Sequence, residues 1–226
     1  MMNARKFVIG GKTVLLCGDE APEILLLQPV DDHDASMLES EAAYISKHCE
    51  RRFLLCGIKV DDWFNDLSPW EADAVFGENA FGSGAGKTLG YITDVLLPAL
   101  ESGYGISKST ERVIGGYSLA GLFALWSGCQ TDAFGAVAAA SPSVWFPEWI
   151  DYAKKHKMLA KAVSLSLGDR EEKTKNPVMA TVGRCIREQY EILISDGTVK
   201  VTLNMNEGNH FKEPDVRTAK SFLEVI

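Results

Sequence analysis

Residues 111–128 read ERVIGGYSLAGLFALWSG and contain the most informative local pattern of the chain. A β-rich run ends in Gly-Gly-Tyr, meets Ser118, and turns at once into the helical pattern LAGLFALW. This order predicts a strand, a sharp turn and a helix, with the serine at the apex of the turn. A nucleophilic serine must stand clear of the sheet, so its backbone is strained and the residues two positions before and after it must be small. Gly116 and Ala120 meet this requirement.

The turn also positions a backbone amide. It places the N–H of Leu119 at the N-terminus of the predicted helix, where a free donor and the helix dipole can stabilise an oxyanion. We therefore expect Leu119 to provide one half of an oxyanion hole. The alternative is an ordinary strand-to-helix turn in which Ser118 only caps the helix. The complete strand, turn and helix context favours the nucleophile.

The rest of the chain alternates between short apolar runs and longer segments of helical period. This alternation predicts an α/β fold with a mainly parallel sheet and helices on both faces. Residues 6–17 carry Gly10 and Gly11 between two apolar arms, which predicts an antiparallel N-terminal hairpin on the sheet edge. Interior strands are predicted at residues 23–28, 53–60, 111–117, 135–140, 162–167 and 198–205.

Helical segments lie between these strands and after the last one. They are predicted near residues 36–48, 86–101, 119–129, 148–158, 177–194 and 214–226. Ser36 and Glu39 have the spacing of a capping box at the start of the first helix. Only about twenty residues separate the strand ending at Ala140 from the strand beginning at Ala162. A large lid domain has no room in that connection.

Length and composition exclude several classes of protein. The chain has 226 residues, 46% of them hydrophobic and 24% charged, which fits one domain over residues 1–226. Its 23 basic and 31 acidic residues give a net charge of −8, the wrong sign for a nucleic-acid binder. Neither a signal-peptide pattern nor an uninterrupted apolar run of about 18 residues is present, so we expect a cytoplasmic protein without a membrane partner. The oligomeric state is left open.

We expect neither a metal nor a cofactor. The five cysteines are odd in number and scattered without a C-x-x-C pair, which predicts reduced and mostly buried thiols. They are Cys17, Cys49, Cys56, Cys129 and Cys185. The four histidines lack the spacing of a zinc site. Residues 81–90, FGSGAGKTLG, end like a phosphate-binding loop, but Phe81 occupies the position of its first glycine, so nucleotide binding is not predicted.

The motifs GGYSLAGLFAL and GNHFK resemble those of the α/β-hydrolase superfamily, and within it the putative esterase family of esterase D-like and enterochelin esterase-like enzymes. The resemblance extends over nearly the whole chain. It implies an α/β-hydrolase fold and a serine hydrolase that cleaves a small carboxylic ester or thioester through an acyl-enzyme. One departure is Ala120, which stands where the G-x-S-x-G pattern has its second glycine.

The base is expected near the C-terminus, because this superfamily orders its triad as serine, acid and histidine along the chain. His210 in NMNEGNHFKEP follows the last predicted strand and is our candidate. The other histidines, His33, His48 and His156, lie upstream of the acid segment and are interpreted as surface or helix-end residues. The alternative for His210 is a simple turn residue.

The acid is expected in the turn after the strand 162–167, where GDREEKTKNP offers three carboxylates. Many α/β-hydrolases place the acid three residues after the glycine, and by this resemblance the pattern selects Glu171. Asp169 is the alternative, since it is short and close to the strand. Glu172 is a third possibility. A fourth reading is that all three are solvated charges in a mixed charge run.

The second oxyanion donor is expected in the loop that begins with Gln28. Pro29 has no N–H to donate, so Val30 is our choice, with Gln28 and Asp31 as alternatives. The aspartates of this loop are expected to form the turn and to place charge at the helix N-terminus. They are Asp31, Asp32 and Asp34.

Aromatic residues near the predicted carboxyl edge of the sheet are candidate substrate contacts. They are Trp63, Trp70, Tyr117 and Trp145. Large aromatics in loops pack against each other about as often as they touch a ligand, so both roles stay open. Two rival functions also remain: an acyltransferase that uses the same acyl-enzyme, and a catalytically silent binding module on the same fold.

Overall fold

The computed structural model describes residues 3–107 and 109–226, and its centre is one eight-stranded sheet. The strands are β1 (Arg5–Ile9), β2 (Lys12–Gly18), β3 (Ile24–Val30), β4 (Phe53–Lys59), β5 (Glu111–Tyr117), β6 (Ala136–Ala140), β7 (Ala162–Gly168) and β8 (Lys200–Asn206). Their spatial order is β1-β2-β4-β3-β5-β6-β7-β8. Strands β4 to β8 run parallel to β3, while β2 pairs antiparallel with β4. The mainly parallel sheet predicted from the sequence is confirmed.

The predicted N-terminal hairpin is also confirmed. Strands β1 and β2 pair antiparallel, and Ile9 lies opposite Lys12 at their closed end. Gly10 and Gly11 form the two-residue turn with φ of 55° and 85°. Positive φ at both turn residues matches the twist of the flanking strands and is available to glycine without strain.

Helices cover both faces of the sheet. They are α1 (Asp32–His48), α2 (Trp63–Asp66), α3 (Ala85–Tyr91), α4 (Leu97–Gly103), α5 (Leu119–Gln130), α6 (Trp149–Lys155), α7 (Val182–Asp196) and α8 (Pro214–Leu223). A π-helical segment, Ile92–Leu96, joins α3 to α4. Helices α1 and α8 pack in one apolar core with alternate residues of the strands, and α3, α4, α5 and α7 pack in the other. The connection from β6 to β7 holds one short helix, α6.

The predicted capping box at Ser36 is wrong. Helix α1 begins four residues earlier, at Asp32, because the carboxylate of Asp31 accepts from the Asp34 amide at 2.8 Å and caps the helix. Ser36 lies inside the helix, where its hydroxyl donates to the carbonyl of His33. The expected turn and helix-terminus role of the aspartates is therefore confirmed at Asp31, which is the N-cap.

Three other predicted helix bounds are corrected. Helix α8 ends at Leu223 instead of residue 226. Helix α7 starts at Val182 instead of residue 177. The side chain of Asn176 accepts from the Val178 and Met179 amides, and Met179–Thr181 form a short 3-10 helix before α7. Helix α6 ends at Lys155 instead of residue 158. After this point the chain returns to α5, where the Leu159 amide donates to the Gly128 carbonyl at 2.8 Å.

The glycine-rich segment that resembles a phosphate loop serves the packing of α3 against α2. A Cβ at Gly82 would lie 2.1 Å from the Asn65 side chain, and one at Gly84 would lie 2.8 Å from Asn65. The hydroxyl of Thr88 donates to the Asp66 carbonyl at 2.7 Å. These close approaches to Asn65 explain why residues 82 and 84 are glycines.

Candidate active site

Ser118 lies between β5 and α5, and its backbone is strained. Its φ of 57° and ψ of −118° are unusual for a residue other than glycine. Gly116, with φ of 151°, approaches α5 so closely that an added Cβ would lie 2.6 Å from the Cβ of Ala120. Both positions must therefore be small, as the sequence pattern requires. The methyl of Ala120 fits in place of a second glycine because Gly116 leaves it room.

The structure brings Ser118, His210 and Glu171 together. The Nε2 atom of His210 lies 3.1 Å from Ser118 Oγ, and its Nδ1 atom lies 2.7 Å from Glu171 Oε2. His210 follows β8, Glu171 follows β7 and Ser118 follows β5. Because these strands are parallel, their carboxyl ends meet at one edge of the sheet. With the proton on Nδ1, the ring donates to the carboxylate and can accept the serine proton.

The carboxylate of Glu171 is buried and fully hydrogen-bonded. Its Oε1 atom accepts from Ser141 Oγ at 2.6 Å, the Gly168 amide at 2.7 Å and Arg217 Nη1 at 3.0 Å. Burial alone would raise the pKa of Glu171, but the hydrogen bond and charge of His210, with the Ser141 and Gly168 bonds, outweigh it and lower that pKa. The group is therefore an anion held beneath the imidazole.

The neighbouring carboxylates have other partners. Asp169 accepts from the Gly208 amide at 2.7 Å and so joins the loops that follow β7 and β8. Glu172 pairs with Arg187 of α7 at 3.4 Å. Of the three candidate acids, Glu171 is thus the one placed against His210.

The sequence interpretation missed Arg217. This residue of α8 is 2% exposed, and its guanidinium contacts Glu171, the hydroxyl of Tyr117 at 3.2 Å and the Glu207 carbonyl at 2.9 Å. In the sequence it reads as an ordinary helix cation, 46 residues from the glutamate. The signal that could have revealed it is its place one turn before the buried Ser221, on the inner face of α8.

Tyr117 supports the histidine. Its hydroxyl donates to the His210 carbonyl at 2.6 Å, and the two ring centroids lie 5.0 Å apart. Burial, followed by the charge of Glu171, raises the pKa of Tyr117 to about 12, so the hydroxyl stays a donor. Tyr117 is 9% exposed and contacts His210, while its role as a candidate substrate contact stays a prediction.

The candidate oxyanion donors occupy two different elements. Leu119 is the first residue of α5, so its amide is one of the donors that an α-helix leaves free at its N-terminus. Val30 is the last residue of β3, fully buried, and its carbonyl accepts from Val60 at 3.1 Å. The alternatives are Gln28, which lies within β3, and Asp31, which is the N-cap of α1. Val30 as the second donor stays a prediction.

A cavity of about 240 Å³ opens beside His210 and Glu171. Trp145, in the loop after β6, lines this cavity. Trp70 points elsewhere: its indole N–H donates to the Pro147 carbonyl at 3.1 Å. Trp63 begins α2 and is half-buried against the core. Of the predicted aromatic contacts, Trp145 alone lies on this cavity wall among the residues that the structure describes.

The other histidines occupy the surface and helix-end positions predicted for them. His33 is exposed in the first turn of α1. His48 ends α1 and His156 follows α6, and each ring contacts the carbonyl four residues earlier at 2.8 Å. His210, in contrast, lies in the loop that follows the carboxyl end of β8.

All five cysteines are free, as predicted. Cys17, Cys56 and Cys185 are buried, while Cys49 and Cys129 are half-buried. Burial raises the pKa of Cys17 to about 11 and that of Cys129 to about 12, which keeps them as thiols. Within residues 3–107 and 109–226, no three His, Cys, Asp or Glu side chains are grouped to hold a metal ion. In the same residues, no helix has the length and apolarity needed to cross a membrane.

Comparison with protein families gives one match. Residues 20–199 match the model of a family described as putative esterase. No curated protein matches the sequence.

Solved structures share the fold at low sequence identity. A siderophore hydrolase, EstA, from Aspergillus nidulans has a TM-score of 0.75 at 16% identity and covers 99% of this chain and 93% of its own. An IroE-like serine hydrolase from Shewanella oneidensis has a TM-score of 0.72 at 16% identity, and the match covers 99% of this chain and 79% of the hydrolase. The esterase Pf2001 from Pyrococcus furiosus has a TM-score of 0.57 at 12% identity, and the match covers 99% of this chain and 92% of the esterase. These likenesses establish the α/β-hydrolase fold.

Proposed function

Because the chain belongs to the putative esterase family and is a carboxylic ester hydrolase, we propose that Ser118, His210 and Glu171 are its catalytic triad. The observation that carries this proposal is the position of the imidazole, 3.1 Å from Ser118 Oγ on one side and 2.7 Å from Glu171 Oε2 on the other. A serine hydroxyl is a weak nucleophile until a base takes its proton. The substrate class that suits this chemistry is a small-molecule carboxylic ester or thioester.

In the first half-reaction, Ser118 forms an acyl-enzyme. His210 Nε2 accepts the hydroxyl proton while Oγ bonds to the ester carbonyl carbon, which becomes tetrahedral and carries an oxyanion. The intermediate then collapses, the bond to the leaving oxygen breaks, and Nε2 gives its proton to the departing alcohol or thiol. Glu171 stabilises the imidazolium that exists between these two transfers.

In the second half-reaction, water replaces the alcohol. His210 Nε2 takes a proton from the water, whose oxygen attacks the acyl carbonyl, and the same proton returns to Ser118 Oγ when the carboxylic acid leaves. Every proton transfer uses a group of this chain, so we expect hydrolysis to need neither an added metal nor a nucleotide.

The oxyanion needs donors that are fixed before the reaction. We assign the Leu119 amide as the first donor, since it lies at the N-terminus of α5 directly after the nucleophile. Val30, at the end of the adjacent β3, is proposed as the second. Loss of one such donor typically costs about 10² to 10³ in kcat.

The experiment that tests this function is hydrolysis of p-nitrophenyl esters of graded acyl length. We expect Ser118→Ala and His210→Ala to lower kcat by at least about 10⁴-fold. Ser143→Ala is the matched control, because the Ser143 hydroxyl lies 3.3 Å from Ser118 Oγ and outside the proposed triad, and it should retain activity. EDTA should leave the rate unchanged. Near-normal turnover by Ser118→Ala would overturn the proposal.

A further inference from the structure

The cavity beside His210 has charged walls that the triad does not use. Arg170 and Lys173 line it, and the one carboxylate among its lining residues is Glu171. That carboxylate already accepts four hydrogen bonds, from His210, Ser141, Gly168 and Arg217. In a chain with a net charge of −8, this cavity therefore presents a local excess of positive charge.

The two cations are available to a ligand. The Nζ atom of Lys173 forms no ion pair among the described residues, since no carboxylate oxygen there lies within 4.0 Å of it. Arg170 has only long contacts, 3.8 Å to Asp169 and 3.7 Å to Glu207, on exposed side chains. An incoming anion can therefore pair with Lys173 without displacing another carboxylate.

The same cavity also has apolar walls. Trp145 and Met179 form part of its lining. Phe211 lies beside the histidine with its ring edge-on, at 5.6 Å and 86°, and is 85% exposed. Phe211 lines the same cavity as Trp145 and Met179, so its exposed ring extends their apolar surface and can contact an apolar ligand body. A benzene ring occupies a cavity of about 150 Å³, so the volume of about 240 Å³ accommodates a substituted ring.

We infer that this cavity takes the leaving alcohol of the ester, and that the alcohol carries an anionic group on a small apolar body. The inference rests on the proposed function. His210 must deliver a proton to the leaving oxygen, so the leaving group lies against the imidazole, and that ring lines the cavity. Lys173 and Arg170 then hold the anion, while Trp145 and Phe211 contact the apolar body.

The test uses two pairs of synthetic esters. The first pair places the charge on the alcohol: the acetyl ester of 3-hydroxybenzoate against that of the neutral 3-hydroxybenzamide. The second places it on the acyl group: phenyl hemisuccinate against phenyl butyrate. We expect the ratio of kcat/KM for charged over neutral alcohol to fall about threefold to fivefold in Lys173→Gln, the range of an exposed ion pair. The acyl pair should keep its ratio.

Matched variants separate charge from shape. Lys173→Arg should keep the wild-type ratio, and Lys175→Gln, which alters an exposed lysine away from the cavity, should leave it unchanged. High salt should reduce the ratio in the wild type, because the contact is exposed to solvent. The comparison of ratios between variants cancels the intrinsic reactivity of each leaving group.

The outcomes are distinct. An unchanged alcohol ratio in Lys173→Gln, with all four esters hydrolysed, overturns this inference and leaves the ester hydrolase intact. A ratio that changes for the acyl pair instead places the anion on the other side of the ester and also overturns it. Failure of the wild type to hydrolyse any of the esters removes the proposed function and this inference with it.

Discussion

Two buried glutamates, Glu171 after β7 and Glu41 on α1, have opposite electrostatics. Glu171 is 6% exposed and Glu41 is 4% exposed, so both lose nearly all contact with water. Glu171 accepts four hydrogen bonds and its pKa is lowered. Glu41 receives one bond, from Gln28, and its Oε1 atom has no partner among the described residues. Burial raises the pKa of Glu41 to about 8.

The hydrogen-bond partners of these two carboxyl groups, more than their depth of burial, decide whether each is charged. Desolvation disfavours the anion at both sites. At Glu171 the donors of His210, Ser141 and Gly168 replace the lost water, and Arg217 adds an opposite charge. At Glu41 only the side-chain amide of Gln28 replaces the lost water, and Glu41 stays protonated near neutral pH. An ionised carboxylate can stabilise an imidazolium, and a protonated one cannot.

Of the two buried glutamates, Glu171 is the one whose loss of charge should impair catalysis. We predict that Glu171→Gln lowers kcat by about 10² to 10⁴, because the imidazole loses the anion that orients and stabilises it. Asp169→Asn and Glu172→Gln are matched controls, since each neutralises a nearby carboxylate that has a different partner. Both should stay within about tenfold of the wild type.

The substitution also leaves Arg217 buried without its anion, which destabilises the fold. Rates are therefore compared per folded protein, with circular dichroism measured on each variant. If Asp169→Asn were the damaging change and Glu171→Gln were mild, the assignment of the acid would be reversed.

Glu41→Gln should have the smallest effect on activity and should instead change how the free energy of unfolding depends on pH. Between pH 4.5 and about 8 the unfolded chain ionises this glutamate while the folded protein keeps it protonated. The folded state then binds the extra proton, so the free energy of unfolding falls as pH rises through this window, by at most about 1.4 kcal/mol per pH unit. Glu41→Gln should remove that loss and keep kcat within about twofold.

Urea denaturation at several pH values measures this effect. The free energy of unfolding of Glu41→Gln relative to wild type should increase from pH 4.5 to 8. A constant difference over that range would show that Glu41 is ionised in the folded protein, and the contrast with Glu171 would disappear.

The sequence predicted the parts of this molecule that depend on neighbours along the chain. The strand, turn and helix around Ser118 occur as predicted, and the bounds of the interior strands lie within two residues of the predicted ones. The hairpin at Gly10 and Gly11 needed only a local turn rule. The helix start at Asp32 was missed because two capping patterns overlap, and the side chain of Asp31 outcompetes that of Ser36.

The parts that the sequence could not predict depend on contacts between distant segments. Glu171 was selected by the resemblance, but no local pattern shows that Ser141 and Arg217 share its Oε1 atom, 30 and 46 residues away. For the same reason the direction of each tryptophan could not be derived. Trp70 bonds to Pro147, 77 residues away, and this contact depends on the packing of two loops.

Labelling with a fluorophosphonate probe, followed by mass spectrometry of the peptides, tests whether Ser118 is the activated nucleophile. A base-activated serine beside oxyanion donors reacts with this electrophile, while ordinary serines do not. We predict one labelled residue, Ser118, with labelling abolished in Ser118→Ala and strongly slowed in His210→Ala. Label found on another serine, or labelling that persists in Ser118→Ala, would show that Ser118 is not the nucleophile.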